Sequence, residues 1–142
     1  MHTLTYLSAA SNLFSNDDLV DILTKSRLNN TRLGITGLLL YHEGSILQIL
    51  EGEKEDMYTL FNKIKNDARH KGVIKMFDRS IEQRSFPDWS MGFKQVSNED
   101  WSSLHGYLNL DDINELNPIT DSQSTLIVSM IKSFANVNRL DI

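Results

Sequence analysis

The strongest constraint on this 142-residue chain is a pair of apolar segments joined by two residues. Ile35 through Tyr41 is a nearly unbroken apolar run, Glu43-Gly44 reads as a tight turn, and Ser45–Leu50 carries a second strand pattern. Together they predict a β-hairpin. Upstream, Leu4–Ala10 alternates and is rich in strand formers, with Leu4, Tyr6 and Ser8 on one face. Ser15-Asn16-Asp17-Asp18 places a hydroxyl three residues before an acid, the pattern of a capped helix start. Leu19, Ile22, Leu23 and Ser26 follow at helical spacing, and Asn30 falls on the same stripe at the end of that helix.

Glu51-Gly52 ends the hairpin, and Met57, Leu60, Phe61, Ile64 and Ala68 share one face of a second helix. Gly72 is the expected stop, after Arg69, His70 and Lys71. Val73–Ile81 predicts a fourth strand, Phe86-Pro87-Asp88 a turn, and Trp89–Val96 a fifth strand. The order βαββαββ predicts an α+β, ferredoxin-like sheet with two helices on one face. After Ser97 the texture changes. Ser97-Asn98-Glu99-Asp100 caps a short helix with Trp101, Leu104 and Leu108 inward. Asn109–Pro118 is a polar connection, and a further helix from Thr120 carries Leu126, Ile127, Met130, Ile131 and Phe134 on one apolar face. These C-terminal helices are expected on the bare face of the sheet. Residues 1–97 read as one domain, and residues 98–142 as a helical extension for output or oligomerisation.

Composition narrows the function. Hydrophobic residues at 40% and charged residues at 23% suit one folded globular domain. A net charge of −5 disfavours a nucleic-acid partner, and the densest basic cluster, Arg69-His70-Lys71, is too short to change that. The absence of cysteine removes disulfides, thiolate nucleophiles and cysteine metal sites together. His2, His42, His70 and His105 are scattered without a metal-binding spacing, so no metal is expected. No glycine-rich phosphate loop and no GxSxG elbow occurs. Glu51, Glu53 and Glu55 sit where acids complement a helix dipole rather than form an acid–base pair. No apolar run approaches the roughly 18 residues of a membrane span, and Met1–Ala10 lacks the apolar core of a signal peptide. A cytoplasmic protein without enzymatic activity is the expectation.

The residues that carry chemistry lie on apolar elements. Gln48 shares a strand face with Ile46 and Leu50, so alternation points its amide inward. A buried amide left unbonded costs about 1–3 kcal/mol. By position alone it reads more readily as a structural glutamine than as a ligand contact. Tyr6 on the first strand, Asn30 on the first helix, and Trp89, Met91 and Phe93 on one strand face each admit the same plain reading. In combination, a phenol, two carboxamides and a thioether converge between sheet and helices. A polar cluster in an apolar shell is the usual makeup of a ligand pocket.

These residues resemble the BLUF family, the blue-light sensors that use flavin adenine dinucleotide. The matching stretches are Tyr6-Leu7-Ser8-Ala9-Ala10, Asn30 with Gly34-Ile35-Thr36-Gly37-Leu38-Leu39-Leu40-Tyr41, Leu47-Gln48-Ile49-Leu50-Glu51-Gly52, Asp67-Ala68-Arg69-His70, and Arg84-Ser85-Phe86-Pro87-Asp88-Trp89-Ser90-Met91-Gly92-Phe93. They stand in family order over roughly residues 1–97. The resemblance implies a ferredoxin-like fold and non-covalent FAD, with FMN or riboflavin as substitutes. It implies Tyr6 as electron and proton donor, and Gln48 as the hydrogen-bond switch between Tyr6 and the flavin N5/O4 edge. Asn30 would hold the flavin C4 carbonyl and N3, while Ile22 and Ile64 clamp the ring faces. Arg32, Asp67, Arg69 and His70 would lie near the polar rim or ribityl chain, and Ser8, Trp89 and Met91 would form the responding shell. Asn29 and Ile49 stand where some relatives carry His and Trp. A stand-alone sensor is expected, signalling to a separate downstream protein and forming a homo-oligomer.

Two rivals remain at this point. A ferredoxin-like hydrolase of acyl phosphates needs a loop of backbone N–H groups for phosphate, whereas Ala9–Phe14 has no glycine. A non-photoactive binding or assembly module that lost flavin is disfavoured by the joint presence of Tyr6 and Gln48.

Overall fold

The computed structural model describes residues 1–88 and 90–102. The elements run β1 (His2–Ala10), α1 (Asn16–Leu33), β2 (Thr36–His42), β3 (Ser45–Gly52), α2 (Lys54–Lys65), β4 (His70–Ser80) and β5 (Gly92–Gln95). They form one sheet in the order β4-β1-β3-β2-β5. The β1–β3, β1–β4 and β2–β3 pairs are antiparallel, and β5 lies parallel to β2. This is the expected α+β ferredoxin-like arrangement, with a fifth strand added beside β2.

Local chemistry sets the elements. The Ser15 hydroxyl accepts from the Asp18 N–H at 3.1 Å, and the Asp18 carboxylate accepts from the Ser15 N–H at 2.9 Å. This capping box starts α1 as anticipated. The helix runs past Asn30 to Leu33 and ends at Gly34, whose φ of 68° no side-chain-bearing residue adopts cheaply. Asn30 therefore lies inside the last turn of the helix. The hairpin turns on Glu43 and Gly44, both at positive φ, matching the twist of β2 and β3.

Three boundaries differ from the sequence expectation. The second helix stops at Lys65, because the chain leaves it at Asn66 and turns through Asp67, whose carboxylate accepts from the Arg69 N–H at 2.9 Å. Ala68 only continues the helical period by coincidence. Gly72, at φ 62°, is a β4 residue where pairing with β1 slips between Leu7 and Ala9, a bulge rather than a helix stop. The fifth strand is also shorter than expected, since Ser90 and Met91 precede it in a bend.

The unbroken apolar run of β2 feeds two layers. Leu39 and Tyr41 join Leu4, Tyr6, Ile46 and Leu50 beneath Leu19 and Leu23 of α1 and Met57 and Phe61 of α2. Leu38 and Leu40 face the other way with Leu47, Ile49, Met76, Phe77, Phe86 and Val96. Each buried leucine contributes roughly 1.5–3 kcal/mol. Trp101 packs on this second layer and stacks on His42 with ring centroids 5.3 Å apart, so the start of the tail does reach the face the helices leave bare. The Asp100 N–H bonds the Ser97 hydroxyl at 3.2 Å, the expected cap. Leu104, Leu108 and the helix expected from Thr120 lie outside the described residues.

Candidate functional site: a cleft between the two helices

A cleft of about 240 Å³ opens between α1, α2 and the sheet. Tyr6 and Gln48 form its floor, as direct partners in the β1–β3 register. Ile22 and Asn30 line it from α1, Ile64 from α2, and Asp67, Arg69 and His70 from the turn into β4. The structure thus brings together all the expected cofactor-contacting residues except Arg32. Two residues beyond Asn30 is about 200° around the helix. Arg32 is accordingly exposed, with its guanidinium 3.5 Å from Asn29 Oδ1.

The buried polar groups are paired in one direction. The Tyr6 hydroxyl donates to Gln48 Oε1, and Gln48 Nε2 donates to the Met91 sulfur at 3.4 Å. A thioether can only accept, so the Met91 contact requires the amide nitrogen there and sets the oxygen toward Tyr6. Tyr6, Gln48 and Met91 are 3%, 6% and 1% exposed. Burial, and then the Asp67 carboxylate, push the Tyr6 phenol well above its ordinary range, so it is protonated throughout neutral pH.

His70 is fixed by its two partners. One ring nitrogen meets the Ile64 carbonyl, which can only accept, so Nε2 carries the proton. Nδ1 pairs with the Ser8 hydroxyl, 2.9 Å away. The ring packs edge-on to Tyr6 at 6.0 Å and ties β1 to the last turn of α2, where Ile64 enters the cleft. At the mouth, Arg69 pairs with Asp67 at 2.6 Å and holds that carboxyl below its usual range.

Several lining residues were not assigned to the site from sequence: Phe14, Lys25 and Lys63, and also Ser26, Leu39, Ile46 and Leu60, which were read only as parts of strand and helix patterns. A signal existed for part of α1. Ile22, Lys25, Ser26, Asn29 and Asn30 repeat at i, i+3, i+4, i+7 and i+8, one continuous helix face. Glu51 was read as a helix-dipole acid. It is instead 1% exposed, and its carboxylate accepts from the N–H groups of Ser85 at 2.5 Å and Phe86 at 2.8 Å. Arg84 bonds the Gly34 carbonyl at 2.6 Å and the Glu51 carbonyl at 3.0 Å. The start of the β4–β5 connection is thereby anchored to the ends of β2 and β3. Its other end carries Met91; Trp89 lies outside the described residues. Among the described residues no group of three His, Cys, Asp or Glu side chains could hold a metal ion, and no helix is long and apolar enough to cross a membrane.

A ferredoxin-like sheet with a cleft of about 240 Å³ under two helices, floored by a phenol bonded to a carboxamide, defines a small domain built to bind a ligand. The particular family follows from comparison: the chain belongs to BLUF, the sensors of blue-light using FAD, whose family pattern matches residues 1–92. It is 40% identical over 90 residues to photoactivated adenylate cyclase subunit beta of Euglena longa, a match covering 63% of this chain and 10% of that protein. The chain spans about a tenth of the length of such curated relatives. Among solved structures it is similar to BlsA in its photo-activated state, with a TM-score of 0.74, 31% identity, and 93% of this chain and 95% of that one covered. The dark-state structure of BlrB, a BLUF protein, matches with a TM-score of 0.68 and 34% identity over 90% and 96% of the two chains.

The residues present fit the flavin that the family binds. Asn30 uses one amide hydrogen on the Ser90 carbonyl at 2.7 Å, which leaves a second N–H and Oδ1. That donor–acceptor pair complements an imide edge, where an N–H lies beside carbonyl oxygens. Gln48 likewise retains one N–H beyond its bond to Met91.

Proposed function

We propose that Tyr6 and Gln48 are the photochemical pair of this blue-light sensor, and that the Gln48 amide is the switch. The observation that carries the reading is the one-directional chain from the Tyr6 hydroxyl through the Gln48 amide to the Met91 sulfur. Ile22 and Ile64 would clamp the flavin ring from the two helices, and Asn30 would hold its imide edge. A site that encloses a whole drug-sized ligand spans roughly 300–1,000 Å³. A cleft of about 240 Å³ would take the ring, and Lys25, Lys63, Asp67 and Arg69, which also line it, would hold the polar remainder of FAD.

Bound flavin supplies absorption of blue light and, once excited, a strong one-electron acceptor. Tyr6 is the electron donor. Its phenol is neutral at rest; giving an electron to the excited flavin would make it a strong acid, and its proton would leave along the bond to Gln48 Oε1 toward the same flavin, both returning to Tyr6 as the resting pair re-forms. The Gln48 oxygen already accepts that proton's hydrogen bond. Rotation or tautomerisation of the carboxamide then exchanges its donor and acceptor ends. In so dry a pocket the neighbours have to re-pair. Met91 meets an acceptor where it had a donor, and it repacks.

Residues 1–97 form the sensor in this reading, and residues 98–142 carry the output. Trp101, stacked on His42 at the end of β2, is the first contact between them. The chain acts through protein contacts rather than by catalysis, as a homo-oligomer handing its signal to a separate protein in the cytoplasm. The test is an absorption spectrum of the flavin-loaded chain before and after blue light. A reversible red shift of the flavin band supports the reading. A flavin that only bleaches, or protein that stays colourless with flavin supplied, overturns it.

A further inference from the structure

Two side chains on α1 hold successive carbonyls of the β4–β5 connection. Asn30 Nδ2 donates to the Ser90 carbonyl at 2.7 Å, and Arg27 Nε donates to the Met91 carbonyl at 3.0 Å. Three residues apart, the two donors share one side of the helix. Asn30 lines the cleft; Arg27 does not. Met91 is therefore fixed at both ends, its main chain by a guanidinium on α1 and its sulfur by the Gln48 amide on β3.

We infer that Arg27 is a positioning residue for the light switch, holding the Met91 main chain against displacement and so driving the return to the resting arrangement. The inference rests on the proposed switching of Gln48. When that amide exchanges its ends, an oxygen faces the thioether, and neither group can donate. The contact turns from attractive to repulsive, and Met91 has to move. Its unbranched side chain bends easily. Its main chain is restrained by a bond from a charged donor, stronger than the neutral one from Asn30. Strain against it favours the resting state.

Arg27→Met keeps the apolar stem and removes the donor fork. It should retain flavin and the red shift, but return to the dark spectrum at least about tenfold more slowly, the effect of one hydrogen bond from a charged donor. Arg27→Lys, with a charged donor restored, should recover most of the wild-type rate. A second readout needs no flavin. In unlit protein labelled at the methionine methyls, Arg27→Met should shift and broaden the Met91 resonance and leave those of Met57 and Met76, buried elsewhere in the core, in place. Should Arg27→Met fail to load flavin, that resonance in the flavin-free chain decides. A normal wild-type photocycle with unchanged recovery in Arg27→Met, or an unmoved Met91 methyl, overturns the role of Arg27 alone. A wild-type chain with no red shift overturns the switch itself.

Discussion

Tyr6 and Gln48 are register partners across β1 and β3, and the phenol of one donates to the side-chain oxygen of the other. A one-residue slip of that register would turn the inward set of side chains to the opposite face. The hairpin turn at Glu43-Gly44 and the two apolar layers hold it in place. The pair is thus preorganised on two interior strands of the sheet.

Tyr6→Phe removes the donor hydroxyl and keeps the ring, which packs against Phe61 at 5.7 Å. The variant should fold and bind flavin but lose about 1–3 kcal/mol of stability, because the buried Gln48 oxygen loses its donor while the amide nitrogen still bonds Met91. Its flavin should be fluorescent and show no red shift after blue light. Steady-state fluorescence and a light-minus-dark absorption spectrum check both points.

The photocycle should be insensitive to pH across the neutral range. A phenol raised by burial stays protonated below its ordinary value of 10.0 and some way above it. The red shift should therefore keep its amplitude from about pH 6 to about pH 10, where an ordinary phenol ionises. Linkage has the same sign: stability from a neutral buried phenol is complete below the unfolded value and is lost as pH rises through the folded one. Tyr58 adds to that alkaline loss, pushed up to about 12 by its hydrogen bond to Asp78 and then by burial. Denaturation midpoints should fall above pH 10. An amplitude that declines already near pH 8 would contradict the burial of Tyr6.

Glu51→Ala should loosen the connection that carries Met91. It strands the buried N–H of Phe86 and the N–H of Ser85, each bonded to a carboxylate in the native chain. Bonds to a charged acceptor are worth about 1.5–3 kcal/mol each. The expected loss is about 3 kcal/mol in urea unfolding, together with faster exchange of the Ser85 and Phe86 amides.

Gly37→Ala tests the hairpin. A Cβ at Gly37 would lie 1.9 Å from the Ile49 carbonyl oxygen, and a backbone atom in the sheet interior cannot swing aside. Overpacking of a core costs about 1–3 kcal/mol, and this contact belongs at the upper end or beyond. A variant as stable as wild type by urea unfolding would contradict the β2–β3 approach described.

Much of the fold was legible because period-2 and period-3.6 patterns are local. Leu4–Ala10, the capping box at Ser15 and Asp18, and the two-residue turn at Glu43-Gly44 each declare themselves within a few residues. The same alternation aimed Tyr6 and Gln48 inward, although the resemblance to a family was needed to name their chemistry. What escaped was non-local. Arg27 bonds a main-chain carbonyl 64 residues away, and a carbonyl leaves no mark in a sequence. Glu51 sits among acids that suit a helix start, yet its partners are amides of a distant loop. Gly72 supplies positive φ to a bulge where it had suggested a helix end, since both uses draw on the same freedom. Arg32, two residues past Asn30, is exposed and outside the cleft lining, a consequence of the helix period.

The most direct measurement is a light-minus-dark absorption spectrum of Gln48→Ala beside wild type, both loaded with FAD. If the amide is the switch, wild type shows a reversible red shift and the variant shows bound, fluorescent flavin that does not shift. A normal, reversible shift in Gln48→Ala would contradict the account, whatever else the variant does.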